Sequence, residues 1–292
     1  MRIVEAFGPG APPTVSFEFF PPRTPEAERR LYDTIADLAP LRPTYVSVTY
    51  GAGGTTRVLT RDIVTRVKRE IGLEAMAHLT CVGHTAADLA EIVDAFVGNG
   101  IENILALRGD PPRGQARFTP VEGGFAHGSE LAAFIRSRWD VCLAGAAYPE
   151  THLEAPDPET DLRNLKRKVE AGVEILITQL FFEPADYFGF VERARAAGIR
   201  QPIVPGIMPV TNVAQLVRFT TMCGAHIPVA LHDRLEHVRD DEAAVIDVGI
   251  EWAVDECRAL LAGGAPGIHF YTLNRSHSAQ QIVGRLRDEG RV

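Results

Sequence analysis

The chain has 292 residues, with 30 Lys+Arg against 38 Asp+Glu for a formal net charge of −8. At 46% hydrophobic and 23% charged residues it can bury a full core without staples, which excludes disordered, collagen-like and low-complexity classes. The acidic balance argues against nucleic acid as the main partner, because phosphate binding needs a basic field. No apolar run approaches the roughly 20 residues that span a bilayer. The opening segment breaks early, at Gly8 and Pro9, and has no signal-peptide core, so a cytoplasmic protein is expected. Cys81, Cys142, Cys223 and Cys257 are scattered without a C-x-x-C pair, which argues against disulfides and zinc clusters.

In chain order, short apolar runs alternate with longer amphipathic stretches. Strands are predicted from near Val15 (VSFEFFPP), Tyr45 (YVSVTY), Ala75 (AMAHLTC), Asn103 (NILALRGD), Val141 (VCLAGAAYP), Glu174 (EILITQLFF), Pro202 (PIVPGIMPV) and Gly267 (GIHFYTL). Most begin about 30 residues apart with a helical pattern between them, the rhythm of βα units. Thr24-Pro25 marks the start of one helix, and Asp161 precedes another that Gly172 stops. The long interval before the last strand, from Thr220 to Gly264, reads as one or two additional helices. No Gly-, Ser- or Pro-rich linker divides the chain. The expectation is therefore one domain over residues 1–292, an α/β protein with a (β/α)8 TIM barrel and extra helices between strands 7 and 8. An open doubly wound sheet is the alternative.

Barrel strands alternate between lumen and helix layer. Val15, Phe17 and Phe19 should face the helices, which turns Ser16, Glu18 and Phe20 inward. The same alternation turns Ser47 and Thr49 inward, places His78 on the third strand, Arg108 and Asp110 at the end of the fourth, and Gln179 on the sixth. Such barrels carry their catalytic groups at the C-terminal strand ends, and a carboxylic acid, hydroxyl, imidazole, second carboxylate and amide all fall at that level. A buried Glu18 would have its pKa raised by desolvation and could serve as a general acid. Its bland reading is an exposed edge position; His78 could be a core histidine, Arg108 and Asp110 a closing ion pair, and Gln179 a loop cap. The loop Gly51 to Arg57 is either a tight turn or an anion site at a helix start. Arg163, Lys166, Arg167 and Lys168 form either a solvated helix face or a clamp for a phosphate chain. His226, His232 and His237 lack metal-ligand spacing and read as structural, and no metal site is expected.

Eight segments carry a further signal: VSFEFFPPR from Val15, SVTYGAGG from Ser47, AHLTC from Ala77, NILALRGDPP from Asn103, DLRNLKRKVEAG from Asp161, TQLFF from Thr178, PIVPGIMPVTN from Pro202 and GIHFYTLNR from Gly267. In this order, over about residues 14 to 276, they resemble the methylenetetrahydrofolate reductases. The resemblance implies a (β/α)8 barrel binding FAD. It implies reduction of 5,10-methylenetetrahydrofolate to 5-methyltetrahydrofolate by NADH or NADPH in a ping-pong reaction. Glu18 matches the family's general acid, which assists protonation at N10. Asp110 matches the carboxylate near the flavin pyrimidine and the pterin. Thr49, Tyr50, Ala52, His78, Leu107, Arg108, Gly109, Asp110, Tyr148, His152, Ala155, Asp161, Asn164, Arg167 and Lys168 match FAD contacts, and His127 and Gly128 align with a further pair that is often Tyr-Ala. Glu18, Thr49, Asp110, Gln179, Gln215, Phe219, Tyr271, Leu273 and Arg275 match the substrate side. The large C-terminal regulatory domain of eukaryotic members is expected to have no counterpart here, so inhibition by S-adenosylmethionine is not expected. Small-molecule substrates and a homo-oligomer are implied; nucleic acid and membrane are not. The alternatives are a barrel folate methyltransferase, or a folate-binding barrel without flavin chemistry.

Overall fold

A computed structural model describes residues 1–51, 57–111 and 118–292. Its strands are β1 (Thr14–Phe19), β2 (Tyr45–Val48), β3 (Ala75–Thr80), β4 (Asn103–Leu107), β5 (Cys142–Ala147), β6 (Ile175–Thr178), β7 (Ile203–Val204), β8 (Gly206–Ile207) and β9 (Gly267–Tyr271). The helices are α1 (Pro25–Leu38), α2 (Arg57–Arg66), α3 (Ala86–Gly98), α4 (Gly128–Arg136), α5 (Pro158–Glu170), α6 (Pro184–Ala196), α7 (Val213–Cys223), α8 (Val229–His237), α9 (Glu242–Ala262) and α10 (His277–Asp288).

All strand pairs are parallel, in the order β7-β6-β5-β4-β3-β2-β1-β9-β8. The two ends of that order are one stave. β7 pairs with β6, β8 pairs with β9, and Pro205 alone separates them. Proline has no N–H for the ladder, so it splits the strand; its carbonyl still accepts from His269 N–H at 2.9 Å. The sheet thus closes into the expected barrel, and the open-sheet alternative falls. Closure is tight at Gly206: a Cβ there would stand 2.4 Å from the Thr178 carbonyl and 2.7 Å from the Tyr271 hydroxyl.

Inside and outside follow the alternation. Val15, Phe17 and Phe19 pack into the core beneath the helices. A second cluster fills the N-terminal half of the lumen, where Tyr45, Met76, Leu105, Ile175 and Val204 close around Ile3. Ile3 opens a 3-10 helix (Ile3–Phe7) that plugs the barrel floor, and its N–H donates to Asn103 Oδ1 at 2.8 Å. The interval from Thr220 to Gly264 holds α8 and α9. With α7 they enclose a third cluster that includes Leu180, Phe182, Met208, Leu216 and Leu231.

Thr24 caps α1, accepting from Ala27 N–H at 3.2 Å, with Pro25 in the first turn. The start of α5 departs from expectation. Asp157, not Asp161, is the N-cap and accepts from Thr160 N–H at 2.6 Å. Asp157-Pro158 combines the favoured cap with the favoured first residue, and so overrides the later start. Asp161 falls inside the first turn, where a carboxylate meets the positive end of the helix.

Candidate functional site

A cavity of about 770 Å³ opens at the C-terminal ends of the strands. Its size is that of a small-molecule site, and its position is where barrel enzymes place their chemistry. Among its lining residues are Glu18, Thr49, Tyr50, His78, Leu107, Arg108, Gly109, Asp110, His127, Gly128, Tyr148, His152, Ala155, Asp161, Asn164, Arg167, Lys168, Gln179, Phe219, Tyr271 and Leu273. Residues scattered over most of the sequence thus share one wall. Gln215 and Arg275 do not line it: Gln215 lies in the first turn of α7, and Arg275 is exposed on the rim after a left-handed turn at Leu273 and Asn274. Ala52 and most of the Gly51 to Arg57 loop lie outside the described residues, as do 112–117.

Glu18 occupies the deep end. Its β1 register sets it between Ser47 of β2 and Tyr271 of β9. Its Oε2 receives the Ser47 hydroxyl at 3.5 Å and lies 3.4 Å from His78 Nε2 and 3.3 Å from His269 Nε2. Burial alone would raise its pKa, as the sequence suggests. In this site the opposing pull of His78, His269 and Ser47 wins and holds the carboxyl below its ordinary range. Burial also drives His78 down to about 4, so near neutral pH that imidazole is uncharged and its part of the pull on Glu18 lapses.

His269 is the main residue that sequence reasoning missed. It is fully buried, donor or acceptor through Nδ1 to Ser16 Oγ at 2.8 Å, and stacked with Tyr45. Alternation in GIHFY offered the signal, since it puts His269 on the lumen face with Tyr271, opposite Ile268 and Phe270. Tyr271 is held against the wall by donating to the Thr178 carbonyl at 2.6 Å.

The other end of the cavity is cationic. Lys168 is half-buried, donates to the Ala146 carbonyl at 2.8 Å, and faces the Tyr148 ring at 5.6 Å. Burial lowers its pKa to about 8 despite the nearby Asp161 carboxylate. Arg167 donates to Asn164 Oδ1 at 3.2 Å. Only this half of the expected clamp lines the cavity. Arg163 and Lys166 are exposed, and Arg163 binds Thr160 and Glu159 on the outer helix face. The helical period explains the split: Asp161, Asn164, Arg167 and Lys168 recur at three and four residues along one face.

The turn after β4 joins the two ends. Gly109 has φ +88, and a Cβ there would meet Val82 at 2.8 Å, so the turn that carries Arg108 and Asp110 requires glycine. Gly128 packs against the β4 backbone, where a Cβ would lie 3.2 Å from Arg108 N. Tyr50 is anchored by its hydroxyl to His84 Nε2 at 3.0 Å. Gln179 turns its Oε1 back to accept from Leu180 N–H at 2.9 Å. Among the described residues no group of three or more His, Cys, Asp or Glu side chains could hold a metal ion, and no helix is long and apolar enough to cross a membrane.

The family model described as methylenetetrahydrofolate reductase matches residues 7–287. Methylenetetrahydrofolate reductase (NADH) 1 of Arabidopsis thaliana is 40% identical over 95% of this chain and 49% of its own length. The chain thus spans about half the length of the plant relatives it matches. The 5,10-methylenetetrahydrofolate reductase of Escherichia coli is 41% identical over 93% of this chain and 90% of its own. A solved Clostridium thermocellum protein, described as binding two copies of 5-methyl-5,6,7,8-tetrahydrofolic acid, superposes with a TM-score of 0.61 at 14% identity over 95% of both chains, a likeness of fold.

Proposed function

The chain belongs to the methylenetetrahydrofolate reductase family, and from that premise we propose that it reduces 5,10-methylenetetrahydrofolate to 5-methyltetrahydrofolate with NAD(P)H, using FAD held in the barrel mouth. One observation carries the reading: a single cavity runs from an acid, Glu18, at its deep end to a half-buried cation, Lys168, at the other.

The residues fit a flavin dinucleotide. The Lys168 ammonium is half-buried, bonds a neutral carbonyl and has Asp161 nearby, and a diphosphate would give it a direct, charge-assisted partner. Arg167 and Arg108 flank the same end, while Tyr50, Leu107, Tyr148 and Ala155 supply the less polar walls. A bound flavin would supply a two-electron carrier, taking hydride from the nicotinamide and passing it to the folate. The nicotinamide and the folate would then use the same open face in turn, next to Gln179, Phe219 and Leu273.

Glu18 acts in the folate half alone. Its Oε2 delivers a proton to N10, the five-membered ring opens, and the resulting iminium carbon becomes the hydride acceptor. With the mouth open the carboxyl lies below its ordinary range; a pterin that covers it excludes water, which raises its pKa and makes it the better acid. Asp110, beside Arg108 at the mouth, offers a negative charge that stabilises the cationic iminium. The tetrahydrofolate described in the Clostridium thermocellum neighbour is a ligand of the same chemical class. The four free cysteines suit a reducing compartment, so the reading includes the cytoplasm.

The test is anaerobic bleaching. Purified protein should be yellow, lose its flavin absorbance on addition of NADH or NADPH, and regain it when 5,10-methylenetetrahydrofolate follows, with 5-methyltetrahydrofolate as product. Protein that takes up no FAD, or reduced flavin that folate does not reoxidise, contradicts the reading and favours the flavin-free alternatives.

A further inference from the structure

The segment from Tyr148 to Pro156 crosses the cationic end of the cavity and lines it with Tyr148, His152, Glu154, Ala155 and Pro156. Little in its own backbone holds it there. Within it, Thr151 N–H donates to the Tyr148 carbonyl at 3.3 Å and Ala155 N–H to the His152 carbonyl at 2.8 Å. Thr151 has φ +80, a conformation that a β-branched residue adopts only under strain. Such a segment keeps its place only if the surroundings tie it down.

Three ties reach it from elsewhere in the fold: His152 N–H donates to Asp161 Oδ2 at 3.0 Å, Arg193 donates to the Pro149 carbonyl at 3.2 Å, and Glu150 Oε1 accepts from His226 N–H at 2.8 Å. A fourth crosses the cavity. Arg108, at the end of β4, grips both oxygens of Glu154, with its Nη2 bond at 2.8 Å and a still shorter one from Nη1. The same guanidinium lies 5.2 Å from the Phe118 ring and donates from Nε to the Gly109 carbonyl at 3.1 Å. Arg108 is therefore fixed on three sides, and its fork meets a carboxylate in the bidentate geometry that makes such pairs directional.

We propose that Glu154 is a positioning residue for FAD: through its two-pronged bond to Arg108 it straps the Tyr148–Pro156 segment across the dinucleotide end of the cavity and slows cofactor release. This inference rests on the FAD reading above and deepens it. Glu154 itself needs no contact with the cofactor. It holds down the segment that carries Tyr148, His152 and Ala155, and it aims Arg108 along the wall. Its carboxyl stays below the ordinary range through the Arg108 bond, so the strap persists at neutral pH and loosens only in acid.

The test follows FAD release from holoenzyme by the rise of flavin fluorescence after large dilution into flavin-free buffer. The variants are Glu154→Gln and Glu154→Asp. Glu154 is half exposed, so the ion pair is moderate, and Glu154→Gln should speed release roughly two- to fivefold at low salt. Concentrated NaCl should speed release from the parent protein and narrow its difference from Glu154→Gln. Glu154→Asp should recover part of the retention, and the melting temperature of the apoproteins should not move. Unchanged release in Glu154→Gln overturns the proposal. Slower release overturns it too, since it means that Glu154 competes with the diphosphate for Arg108. Parent protein that binds no FAD removes the cofactor reading itself, a failure visible before any variant is made.

Discussion

The floor and the mouth of the barrel are made by the same strands, yet they treat charge in opposite ways. At the floor, Arg2 binds Asp140 at 2.6 Å and Glu174 at 2.9 Å, while Lys68 binds Glu74 and Glu102, each at 2.8 Å. Ile3 seals the lumen above them with no exposed surface. At the mouth, among the described residues, Thr80 Oγ1 is buried without a hydrogen-bond partner, His78 Nε2 faces only the Glu18 carboxylate at 3.4 Å, and the Lys168 ammonium bonds a neutral carbonyl. The floor pairs its charges and stabilises the fold. The mouth is left incomplete, so a ligand can supply what is missing, and that incompleteness locates the function.

Ile3→Ala breaks the floor. Removing a fully buried side chain from a closed cluster should lower unfolding stability by about 3 kcal/mol in denaturant titration, with FAD release at moderate temperature unchanged. A loss of cofactor affinity as large as the loss of stability would mean that the two ends are not independent. Lys168→Met does the reverse at the mouth. FAD affinity should fall roughly ten- to a hundredfold, as expected on losing a charge-assisted bond, while the apoprotein keeps its stability because a partly desolvated cation has gone. An apoprotein that unfolds more readily would count against the account.

A smaller effect sharpens the contrast through pH. In the free site Lys168 loses its proton near pH 8, and a diphosphate beside it would favour the ammonium and raise that value. FAD binding above pH 8 should therefore take up a fraction of a proton, and affinity should decline as pH rises through about 8. Calorimetry in two buffers of different ionisation enthalpy reads the uptake; none at pH 8.5, or release instead, would contradict the assignment.

Much of this was legible in the sequence, for identifiable reasons. Apolar runs give all the staves, and alternation correctly turns Ser16, Glu18, Ser47 and His78 inward. The break at Pro205 was not read because the run PIVPGIMPV is apolar throughout; only the missing N–H splits it. The net pKa of Glu18 was out of reach because it depends on His269, which lies 251 positions away. Arg163 and Lys166 look identical to Arg167 and Lys168 until the helix phase is set by Asp157. Glu154 left no pattern, since an ion pair between two loop ends has no period.

The most direct measurement separates the two half-reactions in Glu18→Gln by anaerobic stopped flow. The account expects nicotinamide-driven flavin bleaching close to that of the parent protein, and folate-driven reoxidation slowed at least about a hundredfold. Equal losses in both half-reactions, or reoxidation at the parent rate, would show that Glu18 is not the proton donor and that the deep end of the cavity has been misread.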